Sequence, residues 1–96
     1  MNRNIRVLYV DGDEQVARTT TDYLTQNGVE VHVVPRVDLA VADVTAIRPD
    51  VIVVGLAPRD DAADIEKRLR ARTTAPIITV TKPIDLADLL AKILAY

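Results

Sequence analysis

The chain has 96 residues, 49% of them apolar and 27% charged, so we expect one folded domain over residues 1–96 and not a disordered segment. A formal net charge of −2 and an aromatic content of 3% give no basis for a nucleic-acid-binding surface. Because it has no cysteine and one histidine, the chain offers neither disulfides nor thiolate or multi-histidine metal sites. No apolar run reaches the length of a membrane span and no signal-peptide pattern is present, so the predicted location is the cytoplasm.

The first third of the chain predicts two strands around one helix. The β-branched run Ile5–Val10 indicates a strand. The helical spacing of apolar residues over Glu14–Gln26 indicates a helix, which Asp13 is placed to cap. Val29–Val34 follows as a second strand, in which the polar His32 alternates with valines, as is typical of a half-exposed edge strand.

The middle of the chain continues this alternation. Asp38 is placed to cap a helix over Leu39–Ile47. The wholly apolar run Val51–Val54 then predicts a central strand that is covered on both faces. A third helix is predicted over Ala62–Arg72, and either aspartate of the preceding "RDD" run is placed to cap it.

The end of the chain predicts one more strand, Ile77–Thr81, and a helix over Leu86–Ala95 that Asp85 caps. The resulting order, βαβαβαβα, predicts an α/β domain with a doubly wound parallel sheet and helices on both faces. For a strand order of 2-1-3-4, ligands bind past the carboxyl ends of strands one and three. The loops at these ends hold Asp11 and Gly55.

The most distinctive stretches of the chain are IRVLYVDGDEQVARTTTDYLTQNGVEVHVV, AIRPDVIVVG and APIITVTKPIDLADLLAKIL. Together they resemble the receiver domains of two-component response regulators. The first is similar to the family's opening strands with their acidic loop, and the second to the run into its third strand. The last is similar to the family's fourth strand and to the Lys-Pro that opens its final helix. The resemblance covers nearly the whole chain, and it implies a flavodoxin-like, receiver-like fold and a role in phosphorelay signal transduction.

The resemblance fails at the residue that carries the family's chemistry. In the family, an aspartate that closes the third strand accepts the phosphoryl group. Depending on which flanking proline is used for counting, that position is Gly55 or Val54 in this chain. Phosphoryl transfer needs an oxygen nucleophile in line with the phosphorus, and neither residue has one. We therefore predict that the chain is not phosphorylated at Gly55, with Asp60 or Asp61 as the alternative, displaced acceptor.

The acidic loop also departs from the family. The resemblance implies an adjacent acidic pair that binds Mg²⁺ together with the phosphoacceptor, whereas Gly12 separates Asp11 from Asp13 here. Mg²⁺ demands near-ideal octahedral oxygen geometry, so we predict no cofactor, with a Mg²⁺ site at Asp11 and Asp13 as the alternative. The plainer interpretation of the two aspartates is a loop acid and a helix N-cap, which the helix dipole favours.

The segment around Lys82 corresponds to two parts of the family that are normally separate. Lys82 matches the family's phosphoryl-contacting lysine, and we expect either an ion pair with Asp11 or Asp13 that holds the site closed or a solvated side chain. Thr81 either directs its hydroxyl into the same pocket or only ends a strand. Since Thr81 runs directly into Lys82, the chain lacks the helix and fifth strand that the family places between them, and with them its aromatic switch residue.

The missing unit makes strand four an edge of the sheet. That edge carries Ile77, Ile78 and Val80. An unpaired apolar edge invites pairing with another chain, and we expect part of the neighbouring sheet face to be uncovered as well. The prediction is a homodimer, or a protein partner that docks on this edge.

Two functions remain open from the sequence. The first is an atypical receiver (a pseudo-receiver) that acts through protein–protein interaction and is not an enzyme, because no nucleophile is paired with a base. The alternative is a small-anion or nucleotide-binding module that uses the cleft between strands one and three, with Lys82 as the counter-charge. The basic run Arg68, Arg70 and Arg72 follows acidic residues on one helix, and the helix dipole explains that order without a binding patch.

Overall fold

The computed structural model describes residues 4–96, over which strands and helices alternate as the sequence predicts. In chain order the elements are β1 Arg6–Val10, α1 Glu14–Gln26, β2 Glu30–Val34, α2 Val37–Ile47, β3 Val51–Leu56, α3 Ala62–Arg70, β4 Ile77–Thr81 and α4 Leu86–Leu94. Two boundaries differ in ways that matter below. β3 continues beyond the predicted Val54 and so includes Gly55, and α3 ends at Arg70 instead of Arg72.

The four strands form one parallel sheet in the order β2-β1-β3-β4, which confirms the predicted topology. The central strands β1 and β3 are in register, with Tyr9 opposite Val53 and Val10 opposite Val54. Because the two strands run in the same direction, the residue after Val10 lies beside the residue after Val54. The sheet therefore brings Asp11 next to Gly55.

Each face of the sheet is covered by two helices. Side chains alternate between the faces along each strand, so that Val7 and Tyr9 contribute to the core beneath α1 and α4, while Leu8 and Val10 contribute to the core beneath α2 and α3. All four are between 0% and 3% exposed. Full burial of one such side chain contributes about 1.5–3 kcal/mol to folding.

The uncovered sheet face beside β4 that the sequence predicted is not found. Ile78 is 7% exposed, and Ile77 and Val80 are half-buried against the two cores. The large apolar residues that the structure exposes among residues 4–96 are Val33, Leu94 and Tyr96, which lie outside β4. The prediction was wrong because the two helices α3 and α4 are sufficient to cover β4, one on each face of the sheet.

Aspartates begin three of the helices in the described part of the chain. The carboxylates of Asp13, Asp61 and Asp85 each accept a hydrogen bond from the backbone N–H three residues further on, at 3.0–3.1 Å. An N-cap of this type contributes about 1 kcal/mol. The predictions for Asp13 and Asp85 are confirmed, and of the two candidates before α3 the cap is Asp61.

The prediction that Asp38 caps the second helix was wrong. α2 begins at Val37, and its N-cap is Arg36, whose backbone is extended and whose side chain makes no capping bond. Asp38 lies inside the first turn, where the helix dipole favours an acid, and its Oδ1 accepts a hydrogen bond from Arg36 Nε at 3.2 Å. No helix within residues 4–96 is long and apolar enough to span a bilayer.

Candidate functional site

The carboxyl ends of the strands bring three sequence-distant residues together. Asp11 follows β1, Gly55 is the penultimate residue of β3, and Lys82 follows β4. Parallel strands end at the same edge of a sheet, so these residues surround one opening although 71 positions separate Asp11 from Lys82. The opening is a cavity of about 660 Å³ between the loops that follow β1, β2 and β3.

Asp11 is the centre of the site. Its side chain is 0% exposed, and both of its carboxylate oxygens are engaged. Oδ1 accepts hydrogen bonds from Lys82 Nζ at 2.6 Å and from the Asp13 backbone N–H at 2.9 Å, while Oδ2 accepts one from the Tyr9 hydroxyl at 2.5 Å. A buried carboxylate is tolerated only with this kind of compensation, because its desolvation costs several kcal/mol, of the order of 5 kcal/mol.

The Asp11 carboxylate occupies the space above Gly55. A Cβ atom built on Gly55 would lie 2.4 Å from Asp11 Oδ2 and 2.9 Å from its Cγ, both well inside van der Waals contact. Gly55 does not adopt a left-handed conformation, so the glycine is required here by the close approach of Asp11 and not by the backbone. Position 55 therefore has neither a nucleophile nor the room for one.

Tyr9 is a member of the site that the sequence analysis missed. It is fully buried in the central strand β1. Burial, and then the hydrogen bond that its hydroxyl donates to Asp11, raise the pKa of Tyr9 above its ordinary value of 10.0. The phenol therefore stays protonated, and remains a hydrogen-bond donor, to a higher pH than an exposed tyrosine. A sequence signal was present, since Tyr9 shares a strand face with Asp11 two residues later.

Asp13 contributes its backbone and not its side chain to the network. The Asp13 carboxylate accepts a hydrogen bond from the Val16 N–H as the N-cap of α1, and the residue is exposed. The two aspartates are therefore ill-suited to Mg²⁺, because the Asp11 oxygens are turned towards Lys82 and Tyr9. Among residues 4–96, no group of three His, Cys, Asp or Glu side chains is arranged to hold a metal ion.

The other residues singled out from the sequence lie apart from this network. Thr81 is exposed at the end of β4, and it does not line the cavity. Asp60 lines the cavity, and its Oδ2 accepts a hydrogen bond from the Ala57 N–H at 2.7 Å, which closes the turn after β3. Asp61 is the cap of α3, and His32 is exposed on the edge strand β2.

The fold is similar to that of solved receiver domains. The chain superposes on a CheY-like response-regulator receiver domain from Methylobacillus flagellatus with a TM-score of 0.84 at 20% identity, covering 97% of this chain and 98% of that one. The receiver domain of the Francisella response regulator 1452 gives a TM-score of 0.83 at 21% identity, with 96% and 95% covered. The chain therefore has the flavodoxin-like fold of CheY-like receiver domains.

Sequence comparison gives a relative of the same class. The chain is 31% identical over 84 residues to the DNA-binding response regulator MtrA of Mycolicibacterium smegmatis, which covers 86% of this chain and 37% of the relative. The same values hold for MtrA of Mycobacterium tuberculosis strain H37Rv. The chain thus spans 37% of the length of the curated relatives that it matches. No protein-family model matches the chain.

Proposed function

We propose that this chain is a receiver-like module of two-component signalling that does not accept phosphate at position 55 and acts through protein–protein interaction. The fold and the similarity to response regulators support the signalling context. The observation that carries the proposal is the Asp11 carboxylate, which fills the space above Gly55. In this proposal the module is not an enzyme, needs no cofactor and is located in the cytoplasm.

The ion pair between Asp11 and Lys82 explains how such a module keeps one shape without phosphorylation. In the receiver family the resemblance assigns the lysine both to the phosphoryl group and to the acidic site. Here Lys82 Nζ already has an anionic partner at 2.6 Å, and the Lys82 side chain is 25% exposed. We infer that its partner surface is constant and that control lies in abundance or competition, not in phosphorylation.

Intact-mass spectrometry after incubation with Mg²⁺ and acetyl phosphate tests this proposal. We expect the mass to be unchanged under conditions in which a receiver domain with an intact phosphoacceptor gains a phosphoryl group. A stoichiometric adduct would overturn the proposal. The variants Asp11→Asn, Asp60→Asn and Asp61→Asn would then identify the displaced acceptor, since only one of them should abolish the adduct.

We further propose that the partner contact is the free edge of β4, with a second copy of this chain as the partner. Within the described residues β4 pairs with β3 on one side only, so the other side presents its backbone N–H and C=O groups. Of the residues predicted to form this edge, Ile78 is buried and Ile77 and Val80 are half-buried, so the edge offers a partner mainly its backbone groups. Size-exclusion chromatography with light scattering at micromolar concentration should give twice the 10.5 kDa chain mass. A monomer at that concentration contradicts the dimer.

The alternative of a small-anion or nucleotide site in the same cavity has weaker support. Its lining includes the carboxylates of Asp11, Asp13 and Asp60 against the cations Arg36 and Lys82. Lys82 is paired with Asp11, so an anion would have to compete with a buried carboxylate for it. A thermal-shift screen with nucleotides measures this directly, and stabilisation by a nucleotide that is lost in Lys82→Met would favour the alternative.

A further inference from the structure

A second concavity lies at the amino ends of the strands, at the end of the sheet opposite Asp11, and the proposed function does not use it. The loop between α2 and β3 and the loop between α3 and β4 lead into neighbouring parallel strands, in which Ile52 lies opposite Ile77. Both loops therefore lie side by side at the amino ends of these strands. Together with the last turns of α2 and α3 they enclose a cavity of about 770 Å³.

Three arginines line this cavity. Arg48 ends α2, Arg70 is the last residue of α3, and Arg72 lies in the loop that follows. All three arginines are exposed. Arg70 Nη1 donates a hydrogen bond to the Ala75 carbonyl at 3.1 Å, which holds its guanidinium against the loop.

The lining contains one acid among the residues described, Asp50. Its Oδ2 accepts a hydrogen bond from the Arg6 backbone N–H at 2.8 Å, which ties it to the start of β1. The remaining polar groups include the hydroxyls of Thr73 and Thr74. Thr73 Oγ1 accepts from the Ala75 N–H at 3.1 Å, so its hydroxyl hydrogen is available to donate outward. The cavity thus combines a surplus of positive charge with hydroxyl donors.

Arg48 adds an independent observation. It adopts a left-handed backbone conformation, with φ 52°, at the end of α2, and it is the sole residue other than glycine with a positive φ in the described chain. Helices commonly end this way, but with glycine or asparagine, because a larger side chain is strained there. The helix dipole favours a base near a helix end. That preference accounts for a basic residue near the end of α2. It does not account for an arginine at the position with the left-handed backbone, which also lines this cavity.

We propose that this cavity binds a phosphoryl-bearing anion, which Arg48, Arg70 and Arg72 hold through their guanidinium groups. Guanidinium groups match phosphate oxygens with two parallel hydrogen bonds each, and an open site of this size admits a phosphate or a diphosphate. The ligand chemistry is the phosphoryl group itself, whether it comes from a free ion or from a nucleotide. This site lies at the other end of the sheet from Asp11, so the inference does not depend on the proposed function.

Titration followed by two-dimensional ¹⁵N–¹H NMR tests the site on the whole chain. The probes are inorganic phosphate, pyrophosphate and ADP, with sodium chloride at matched ionic strength as the reference. We expect saturable shifts of the Thr73, Thr74 and Ala75 amides with the phosphoryl probes. Shifts that sodium chloride reproduces would overturn the proposal. Equal affinity for pyrophosphate and ADP would indicate that the phosphoryl groups alone are recognised, and tighter ADP binding would indicate a nucleotide.

Charge variants separate this site from general attraction of anions. Arg72→Gln should weaken pyrophosphate binding about tenfold or more, since a hydrogen bond to a charged group contributes about 1.5–3 kcal/mol. Arg59→Gln removes the same charge from an exposed position outside the cavity, and we expect the affinity to be unchanged. Equal losses in the two variants, or binding of an oligoglutamate peptide in preference to pyrophosphate, would refute a phosphoryl site.

Arg48→Gly tests the role of the strained arginine. Glycine suits the left-handed conformation, so the melting temperature should stay the same or rise while pyrophosphate binding weakens about tenfold. A variant that binds pyrophosphate as the native chain does would remove Arg48 from the site. A variant that loses both stability and binding would show that Arg48 has a structural role instead.

Discussion

Replacing Gly55 by alanine should destabilise the protein through its effect on Asp11. The new Cβ would lie 2.4 Å from Asp11 Oδ2, and ordinary contact begins near 3.4 Å, so the carboxylate has to retreat by about 1 Å. That movement disturbs its hydrogen bonds to the Tyr9 hydroxyl at 2.5 Å and to Lys82 Nζ at 2.6 Å. Each hydrogen bond to a charged group contributes about 1.5–3 kcal/mol, and we expect a total loss of about 2–3 kcal/mol.

The same substitution should be harmless once the carboxylate is gone. In Asp11→Ala the nearest remaining atom is the Cβ of residue 11, at 3.4 Å from the new methyl group. Gly55→Ala in that background should change the free energy of unfolding by about 0.5 kcal/mol at most, or stabilise slightly by reducing backbone entropy. The double-mutant cycle therefore predicts a coupling of about 2–3 kcal/mol.

Urea unfolding followed by circular dichroism measures all four corners of this cycle. A shift of the midpoint at unchanged m-value reports stability alone. Gly12→Ala is the matched control, because a Cβ there meets only the Pro35 carbonyl at 3.5 Å, and its effect should stay within about 0.5 kcal/mol. If the effects of Gly55→Ala and Asp11→Ala add within about 0.5 kcal/mol, the carboxylate does not lie where we place it.

Three further predictions concern the same structure. Lys82→Met should lower the free energy of unfolding in urea by about 2–3 kcal/mol, because it leaves the buried Asp11 carboxylate without its cation. Lys92→Met breaks an exposed ion pair within a helix and should lower it by less than about 1 kcal/mol. Ultraviolet titration should show Tyr9 ionising only well above pH 10, and a Tyr9 signal near pH 10 would contradict this. Because folding raises the pKa of Tyr9, its contribution to the free energy of unfolding is complete below pH 10 and is lost as the pH rises further. Asp85→Ala should lose about 1 kcal/mol through its N-cap, and an unchanged melting temperature would count against that cap.

The fold was largely predictable because its signals are local. The apolar run Val51–Val54 and the helical spacing over Glu14–Gln26 each specify an element within a few residues, and their alternation specifies a parallel sheet. The errors fall where two local signals compete. Asp38 has the side chain of a cap, but the chain turns into the helix earlier, at Val37. Such a boundary is set by backbone torsions that the residue types do not determine.

The site was predictable only in outline. The predicted strand order placed Asp11 and Gly55 at the same end of the sheet, and the resemblance to receiver domains added Lys82, but neither decided which acid the lysine contacts. The answer depends on the side-chain direction of Asp11, which is fixed by the hydroxyl of Tyr9, two residues earlier in the chain. The sequence analysis considered Arg70 and Arg72 but did not expect a binding patch, because Arg48 lies in a separate segment that only the pairing of β3 and β4 brings close.

The collision between Asp11 and residue 55 bears on how this protein can change by mutation. While the Asp11 carboxylate stays where it is, any side chain at position 55 adds atoms to filled space. A carboxylate at position 55 therefore requires the Asp11 side chain to move, and that movement disturbs the ion pair with Lys82. We therefore expect positions 11 and 55 to change together in variants that keep their stability.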